Sequence, residues 1–241
     1  MTTDVYDLLA QDRVLAIVRY RDGAHTLDAL RALAAGGVRL AEVTATTPGW
    51  LDAIGAATDA GLVVGGGTVT TPAQVRDVAA AGGRFVVSPG LDADVVTAAL
   101  RAGLEPLPGV FTGTEVLAAT RAGARLLKLF PANTLGPAHL AQLRAPFPAT
   151  AFVPTGGITL GDIGTWLEAG AFAVAVGAHL VGRTAPADPS ALRDLTQRAA
   201  HARATANPER GTHAGTSALR HLTVRAAPAR ATANPEGGAS C

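Results

Sequence analysis

An α/β fold, the closed (β/α)8 TIM barrel with a low-complexity C-terminal extension, is what this 241-residue sequence predicts. Three observations carry it. Short β-branched runs alternate with Ala/Leu-rich stretches of helical length, the strand runs are apolar at nearly every position, and helix-ending glycines recur about every 21 residues. In order, the strand runs are residues 14–19, 40–44, 62–65, 85–88, 104–107, 126–130, 151–154 and 173–176. Runs without polar alternation suit parallel strands covered on both faces. Helical composition fills segments such as 26–35, 72–81, 92–101 and 114–122. Most of these segments close on Ala-Gly, at Gly36, Gly61, Gly82, Gly103, Gly123 and Gly170, because glycine past a helix end accepts the left-handed conformation. The longer step from Gly123 to Gly170 has room for two units, divided at Pro146-Phe147-Pro148. Eight helix–glycine–strand units favour a closed barrel over an open sheet. No G-x-G-x-x-G opens a helix after the first strand, which argues against a dinucleotide-binding sheet.

Composition narrows the partners. The formal net charge is +1, so neither nucleic acid nor an anionic membrane surface is indicated. The sole cysteine is Cys241, which removes an intramolecular disulfide framework and a cysteine metal site. Residues 1–13 carry Asp4, Asp7 and Asp12 in place of a signal peptide's basic and apolar regions. The apolar stretch near 171–181 is short and broken by Gly177 and His179, so no bilayer span is expected and a soluble cytoplasmic protein is. The barrel is expected over residues 1–203. Residues 204–241 are an Ala/Gly/Pro/Arg-rich tail in which residues 202–209 recur as 229–236, and disorder is expected there.

Within the near-neutral charge lies an asymmetry: of 20 Lys and Arg residues, Lys128 is the only lysine. In Leu126-Leu127-Lys128-Leu129-Phe130, strand alternation puts Leu127 and Leu129 on the helix-facing side and Lys128 inside the barrel, near the strand's C-terminal end. Barrel enzymes place their chemistry there. Arginine stays protonated and does not condense with a ketone, whereas a lysine among leucines has its charged form disfavoured and its amine freed. The alternative is a strand-end lysine that snorkels to solvent. Glu42, in Leu40-Ala41-Glu42-Val43-Thr44, is a second charge within an apolar strand. It reads as a general base beside Lys128, or as its ion-pair partner. Glu105, directly after Gly103, is expected at the opposite, structural end of its strand.

Other polar groups gather at strand ends. Arg19 ends the first strand and suits a carboxylate, unless it caps the barrel bottom. Gly65-Gly66-Gly67-Thr68 ends the third and Ser88-Pro89-Gly90 the fourth. Thr155-Gly156-Gly157 follows the seventh strand and Gly177-Ala178 the eighth, the usual barrel location for a phosphate cradled by backbone N–H groups.

These residues carry a resemblance. Glu42-Val43-Thr44, Gly65-Gly66-Gly67-Thr68-Val69, Ser88-Pro89-Gly90-Leu91, Pro108-Gly109-Val110, Lys128-Leu129-Phe130-Pro131-Ala132 and Pro154-Thr155-Gly156-Gly157-Ile158 are similar, in order, to the motif series of the 2-keto-3-deoxy-6-phosphogluconate (KDPG) / 4-hydroxy-2-oxoglutarate (KHG) aldolases. The match runs from about residue 10 to 200 and excludes the tail. The resemblance implies a class I aldolase, a homotrimer, that uses a lysine imine with its keto-acid substrate and needs neither cofactor nor metal. By position, Lys128 matches the Schiff-base lysine and Glu42 the general acid/base. Arg19 and Thr68 match the surroundings of the pyruvate carboxylate, Pro89 and Phe130 the pocket walls, and Thr155 a contact to the pyruvyl part. Gly156, Gly157 and Gly177 match the phosphate-binding backbone, joined by the Ala178 amide. Two departures stand out: Thr46 where many members carry arginine, and Ala178 where members carry serine. The implied reaction is reversible cleavage of KDPG to pyruvate and glyceraldehyde 3-phosphate. Open alternatives are KHG or the galactonate epimer as substrate, another barrel chemistry that would not need Lys128, and a non-catalytic sugar-phosphate-binding barrel.

Overall fold

The computed structural model describes residues 4–208. Its chain alternates helix and strand almost throughout. A first helix, α1 (Val5–Asp12), precedes β1 (Val14–Val18), α2 (Thr26–Ala35), β2 (Leu40–Thr44), α3 (Trp50–Asp59), β3 (Val63–Gly67) and α4 (Pro72–Ala80). Then come β4 (Phe85–Val87), α5 (Ala93–Arg101), β5 (Glu105–Leu107), β6 (Gly109–Val110), α6 (Gly113–Arg121) and β7 (Leu126–Leu129). The chain continues through α7 (Gly136–Arg144), β8 (Ala151–Pro154), α8 (Ile163–Glu168), β9 (Val174–Val176), α9 (Ala178–Val181) and α10 (Pro189–Ala206).

Every strand pair is parallel. The ladders form a six-stranded sheet, β5-β4-β3-β2-β1-β9, and a three-stranded sheet, β6-β7-β8. The expected fifth strand is thus two segments, and one continuous eight-stranded ladder is not what the pairing describes. The break falls at Pro108, which has no N–H to donate. Before it, Leu107 pairs with Val87; after it, Gly109 pairs with Lys128, and the Pro108 carbonyl accepts from Lys128 N at 3.0 Å. On the other side a single parallel bridge, Thr155 with Ala175, links the two sheets.

Two apolar clusters explain the unbroken strand hydrophobicity. One packs strands against helices and holds Ala41, Val43, Leu127 and Leu129; the other lies on the opposite strand face and holds Leu15, Leu40, Phe85, Leu107 and Leu126. The alternation read from the sequence around Lys128 is therefore observed. Helix α1, absent from the sequence expectation, contributes Val5, Leu8 and Leu9 to the second cluster and plugs its lower end. There Arg125 Nε donates to Glu105 at 2.8 Å and Arg125 Nη2 to Asp4 at 2.7 Å, so Glu105 sits at the structural end as expected.

Several strand and helix ends shift by a residue, and three departures from the expectation have a packing cause. Strand β3 covers Val63–Gly67 rather than 62–65, because Gly66 and Gly67 pair with β2 on one side and β4 on the other; the site is crowded, and a Cβ on Gly65 would lie 2.4 Å from the Phe85 carbonyl oxygen. Gly36 is not the left-handed residue after α2, since its φ is −79° and Gly37 takes +87°. Gly36 instead lets α10 approach, its position leaving 2.5 Å between a Cβ and that of Ala199. Helix α10 crosses the expected boundary at 203 and buries Ala206; Asn207 Nδ2 then donates to the Asp12 carbonyl at 2.9 Å. The rest of the expected tail, 209–241, lies outside the described residues.

Candidate active site

A cavity of about 710 Å³ opens at the C-terminal ends of the strands. All eleven residues assigned to a site from sequence line it: Arg19, Glu42, Thr68, Pro89, Lys128, Phe130, Thr155, Gly156, Gly157, Gly177 and Ala178.

Its floor holds two ionisable groups. Lys128, third residue of β7, is 6% exposed, and its Nζ lies 4.7 Å from the centroid of the Phe130 ring. Burial pushes its pKa below the ordinary lysine value, Glu42 pulls it back up, and Arg19 lowers it further. The amine therefore reaches its nucleophilic form at lower pH than a surface lysine does. Glu42, third residue of β2, is 1% exposed. Burial raises its pKa, opposed by the charges of Lys128 and Arg19. Its Oε2 has no hydrogen-bond partner, and among the described residues Glu42 and Lys128 are not in ion-pair contact. A structural ion pair would close that gap; here the carboxyl is left facing the cavity without a partner. Gly67 makes room for it, since a Cβ there would lie 2.8 Å from the Glu42 carboxyl.

Arg19 follows β1 directly and donates through Nη2 to Thr68 Oγ1 at 3.1 Å. Thr68 holds a φ of +57°, rare for a β-branched residue, and lines the cavity. The two side chains present a guanidinium and a hydroxyl together, a pairing suited to a carboxylate. Thr46, at the position where many family members have arginine, shares a hydroxyl contact with Thr44 at 3.0 Å, leaving Arg19 as the guanidinium on this wall.

The opposite rim is backbone. Thr155 is buried, with its N donating to Leu129 O at 2.9 Å and its Oγ1 to Val153 O at 3.1 Å. Gly156 and Gly157 follow with φ of +103° and +74°, and a Cβ on Gly157 would fall 2.7 Å from that of Asn133. Ala132 N and Asn133 N donate to Thr155 O and Gly156 O, tying this loop to the one after Lys128. Gly177 precedes the four-residue α9 as its N-cap, and Ala178 begins it.

The cavity also contains residues that the sequence did not single out: Ile17, Tyr20, Arg21, Ile158, Ala175, His179, Val181, Gly182 and Arg183. Ile17 and Ala175 were within reach, being two residues before Arg19 and Gly177 on inward-facing positions. Arg21 and Arg183 leave no periodic signal, because they lie in loops. Among the described residues no group of three or more His, Cys, Asp or Glu side chains could hold a metal ion, and no helix is long and apolar enough to cross a membrane.

A buried amine, a buried carboxyl and an anion-binding rim are equipment for carbonyl chemistry, and known proteins bear on which. A family model described as KDPG and KHG aldolase matches residues 5–191. A 2-dehydro-3-deoxy-phosphogluconate aldolase from Treponema pallidum (strain Nichols) is 35% identical over 196 residues, covering 80% of this chain and 91% of that protein. The solved 2-keto-3-deoxy-6-phospho-gluconate aldolase from Zymomonas mobilis ATCC 29191 superposes with a TM-score of 0.74 at 31% identity, over 82% of this chain and 97% of that one. The KDPG aldolase from Legionella pneumophila, solved with pyruvate captured at low pH as a covalent carbinolamine intermediate, gives a TM-score of 0.72 at 28% identity, over 84% and 98% of the chains. With a family match across most of its length, this chain belongs to the KDPG and KHG aldolases.

Proposed function

We propose that the chain is a class I aldolase that cleaves KDPG reversibly to pyruvate and glyceraldehyde 3-phosphate, with Lys128 as the imine-forming residue. The carrying observation is the pairing, in one cavity, of a buried lysine whose pKa is lowered with a buried, partnerless glutamate whose pKa is raised. The carbinolamine in the Legionella relative supports covalent chemistry with pyruvate.

Neutral Lys128 Nζ adds to the C2 ketone. Glu42, entering as the acid, gives its proton to the departing carbinolamine hydroxyl, and water and the iminium result. The resulting Glu42 carboxylate takes the C4 hydroxyl proton through one intervening water. The C3–C4 bond breaks, its electrons flow into the iminium to form an enamine, and the aldehyde leaves. Glu42 returns the proton to C3, and hydrolysis releases pyruvate and the amine. Arg19 and Thr68 hold the carboxylate; Pro89, Phe130 and Thr155 wall the pyruvyl part; Gly156, Gly157, Gly177 and Ala178 offer backbone to the phosphate. A second reading, the same chemistry on 4-hydroxy-2-oxoglutarate, is favoured by Thr46 and Ala178, which lack the arginine and hydroxyl of many relatives.

The reading includes one closed (β/α)8 barrel as a single unit, supported by the segment 105–110 that pairs with both sheets and by the Thr155–Ala175 bridge. It also includes a cytoplasmic homotrimer acting without cofactor or metal, as the family resemblance implies; sedimentation equilibrium tests the trimer. The mechanism is tested by borohydride reduction in the presence of pyruvate. A pyruvyl adduct on the Lys128 peptide is expected, and Lys128→Arg is expected to abolish both adduct and turnover. No adduct, or full turnover in Lys128→Arg, rules the mechanism out.

A further inference from the structure

We propose that Arg21 and Arg183 form a second guanidinium clamp in the cavity and take the phosphate monoester end of the substrate. The proposal rests on the aldolase reading and adds two side chains to a rim otherwise built of backbone. Both residues line the cavity that holds Lys128. A buried bond joins the segments that carry them: Tyr20, 2% exposed, donates its hydroxyl to the Val181 carbonyl at 3.2 Å. Arg21 directly follows Tyr20, and Arg183 follows Val181 after one residue, Gly182, whose φ of +82° turns the chain. Arg183 therefore shares its segment with Gly177 and Ala178, the expected phosphate contacts.

Neither arginine is engaged by the described fold itself, and both line the cavity. Arg39, Arg125 and Arg203 are each paired with an aspartate or glutamate, and Arg19 donates to Thr68. Among the described residues, no hydrogen bond or ion pair joins Arg21 or Arg183 to another residue. His179 also lines the cavity, on the short α9, and is not part of the clamp. Among the described residues, Glu42 is the only acidic one lining the cavity, against Arg19, Arg21, Lys128 and Arg183. Such a balance suits a substrate anionic at both ends, with Arg19 at the carboxylate. Guanidinium N–H groups match phosphate oxygens in pairs, and two cations match a dianion. Ala178 offers no hydroxyl at this rim, and the clamp supplies donors in its place.

The test compares the full chain with its Arg21→Ala, Arg183→Ala and doubly substituted variants. Kinetics are measured on KDPG, on its unphosphorylated counterpart and on 4-hydroxy-2-oxoglutarate. Each single variant is expected to raise KM for KDPG by about tenfold with kcat nearly unchanged, the double variant by more, as loss of a charged hydrogen bond implies. The ratio of kcat/KM for KDPG to that for the unphosphorylated counterpart should fall accordingly. Line broadening of inorganic phosphate in phosphorus NMR should weaken in the variants. An unchanged ratio, a loss carried by kcat, or unchanged phosphate broadening overturns the clamp. An equal loss on 4-hydroxy-2-oxoglutarate reassigns the pair to a distal carboxylate and also overturns it. Borohydride trapping with pyruvate reads Lys128 separately. Failure to trap in the unsubstituted chain defeats the aldolase reading, whereas trapping without phosphate selectivity defeats only the clamp.

Discussion

At the residue scale, Glu42 and Lys128 are costly placements that function explains. An isolated charge buried beside leucines is unfavourable, and both groups respond by shifting towards neutrality. Because the Glu42 pKa is raised in the fold, its contribution to stability is fully present below the ordinary value of 4.5. That contribution is lost as pH rises through the raised folded value. Glu42→Gln is therefore expected to unfold at higher urea concentration than the unsubstituted chain at neutral pH, with the gap closing as pH approaches 4.5. In the same variant, turnover should fall by about 10²–10⁴-fold, and pyruvate should still trap on Lys128 but more slowly, because Glu42 also protonates the departing carbinolamine hydroxyl. Lys128 titrates in the opposite direction: the rate of pyruvate trapping should rise with pH through a midpoint below the ordinary 10.5.

At the element scale, Asp12 joins three parts of the chain. It is fully buried at the end of α1, where Arg39 Nη2 reaches its Oδ1 at 2.7 Å and Arg203 of α10 at 3.2 Å. Its backbone carbonyl accepts from Asn207. Asp12→Ala leaves two guanidinium groups facing an apolar gap and should destabilise the fold by about 3 kcal/mol in urea unfolding. That is the lower end for a broken buried pair, because Arg39 is partly solvated. The cap of α6 is a smaller device. Thr112 N and Oγ1 both donate to Glu115 Oε2 at 2.8 Å, and Glu115 N donates back to Thr112 Oγ1 at 3.4 Å. Thr112→Ala should cost about 1 kcal/mol and leave turnover unchanged, since neither Thr112 nor Glu115 lines the cavity.

At the scale of the whole molecule, the described fold ends where α10 has buried Leu195, Ala199, Ala202 and Ala206 against the helix-facing core. A chain stopped after residue 208 should keep kcat/KM within about twofold. One stopped after 203 loses Ala206 and the Asn207 bond to Asp12, and should melt several degrees lower in calorimetry, as one or two kcal/mol implies for a domain this size. Comparing the two truncations separates the contribution of 209–241 from that of the last helical turn.

The sequence by itself determined the parallel α/β architecture, the inward face of Lys128 and Glu42, and the membership of one cavity by eleven residues. Those features are local: alternation along a strand assigns faces, and strand ends carry the polar groups. The split at Pro108, the three-glycine run as strand and the extension of α10 were decided by tertiary structure. Each depends on which distant segment lies opposite: Lys128 beside Gly109, Phe85 behind Gly65, Asp12 beneath Asn207. The plug formed by α1 and the joining of Arg21 to Arg183 through Tyr20 are of the same kind. Loop residues have no period to betray their direction, so only the packed chain shows that two arginines far apart in sequence face the same cavity.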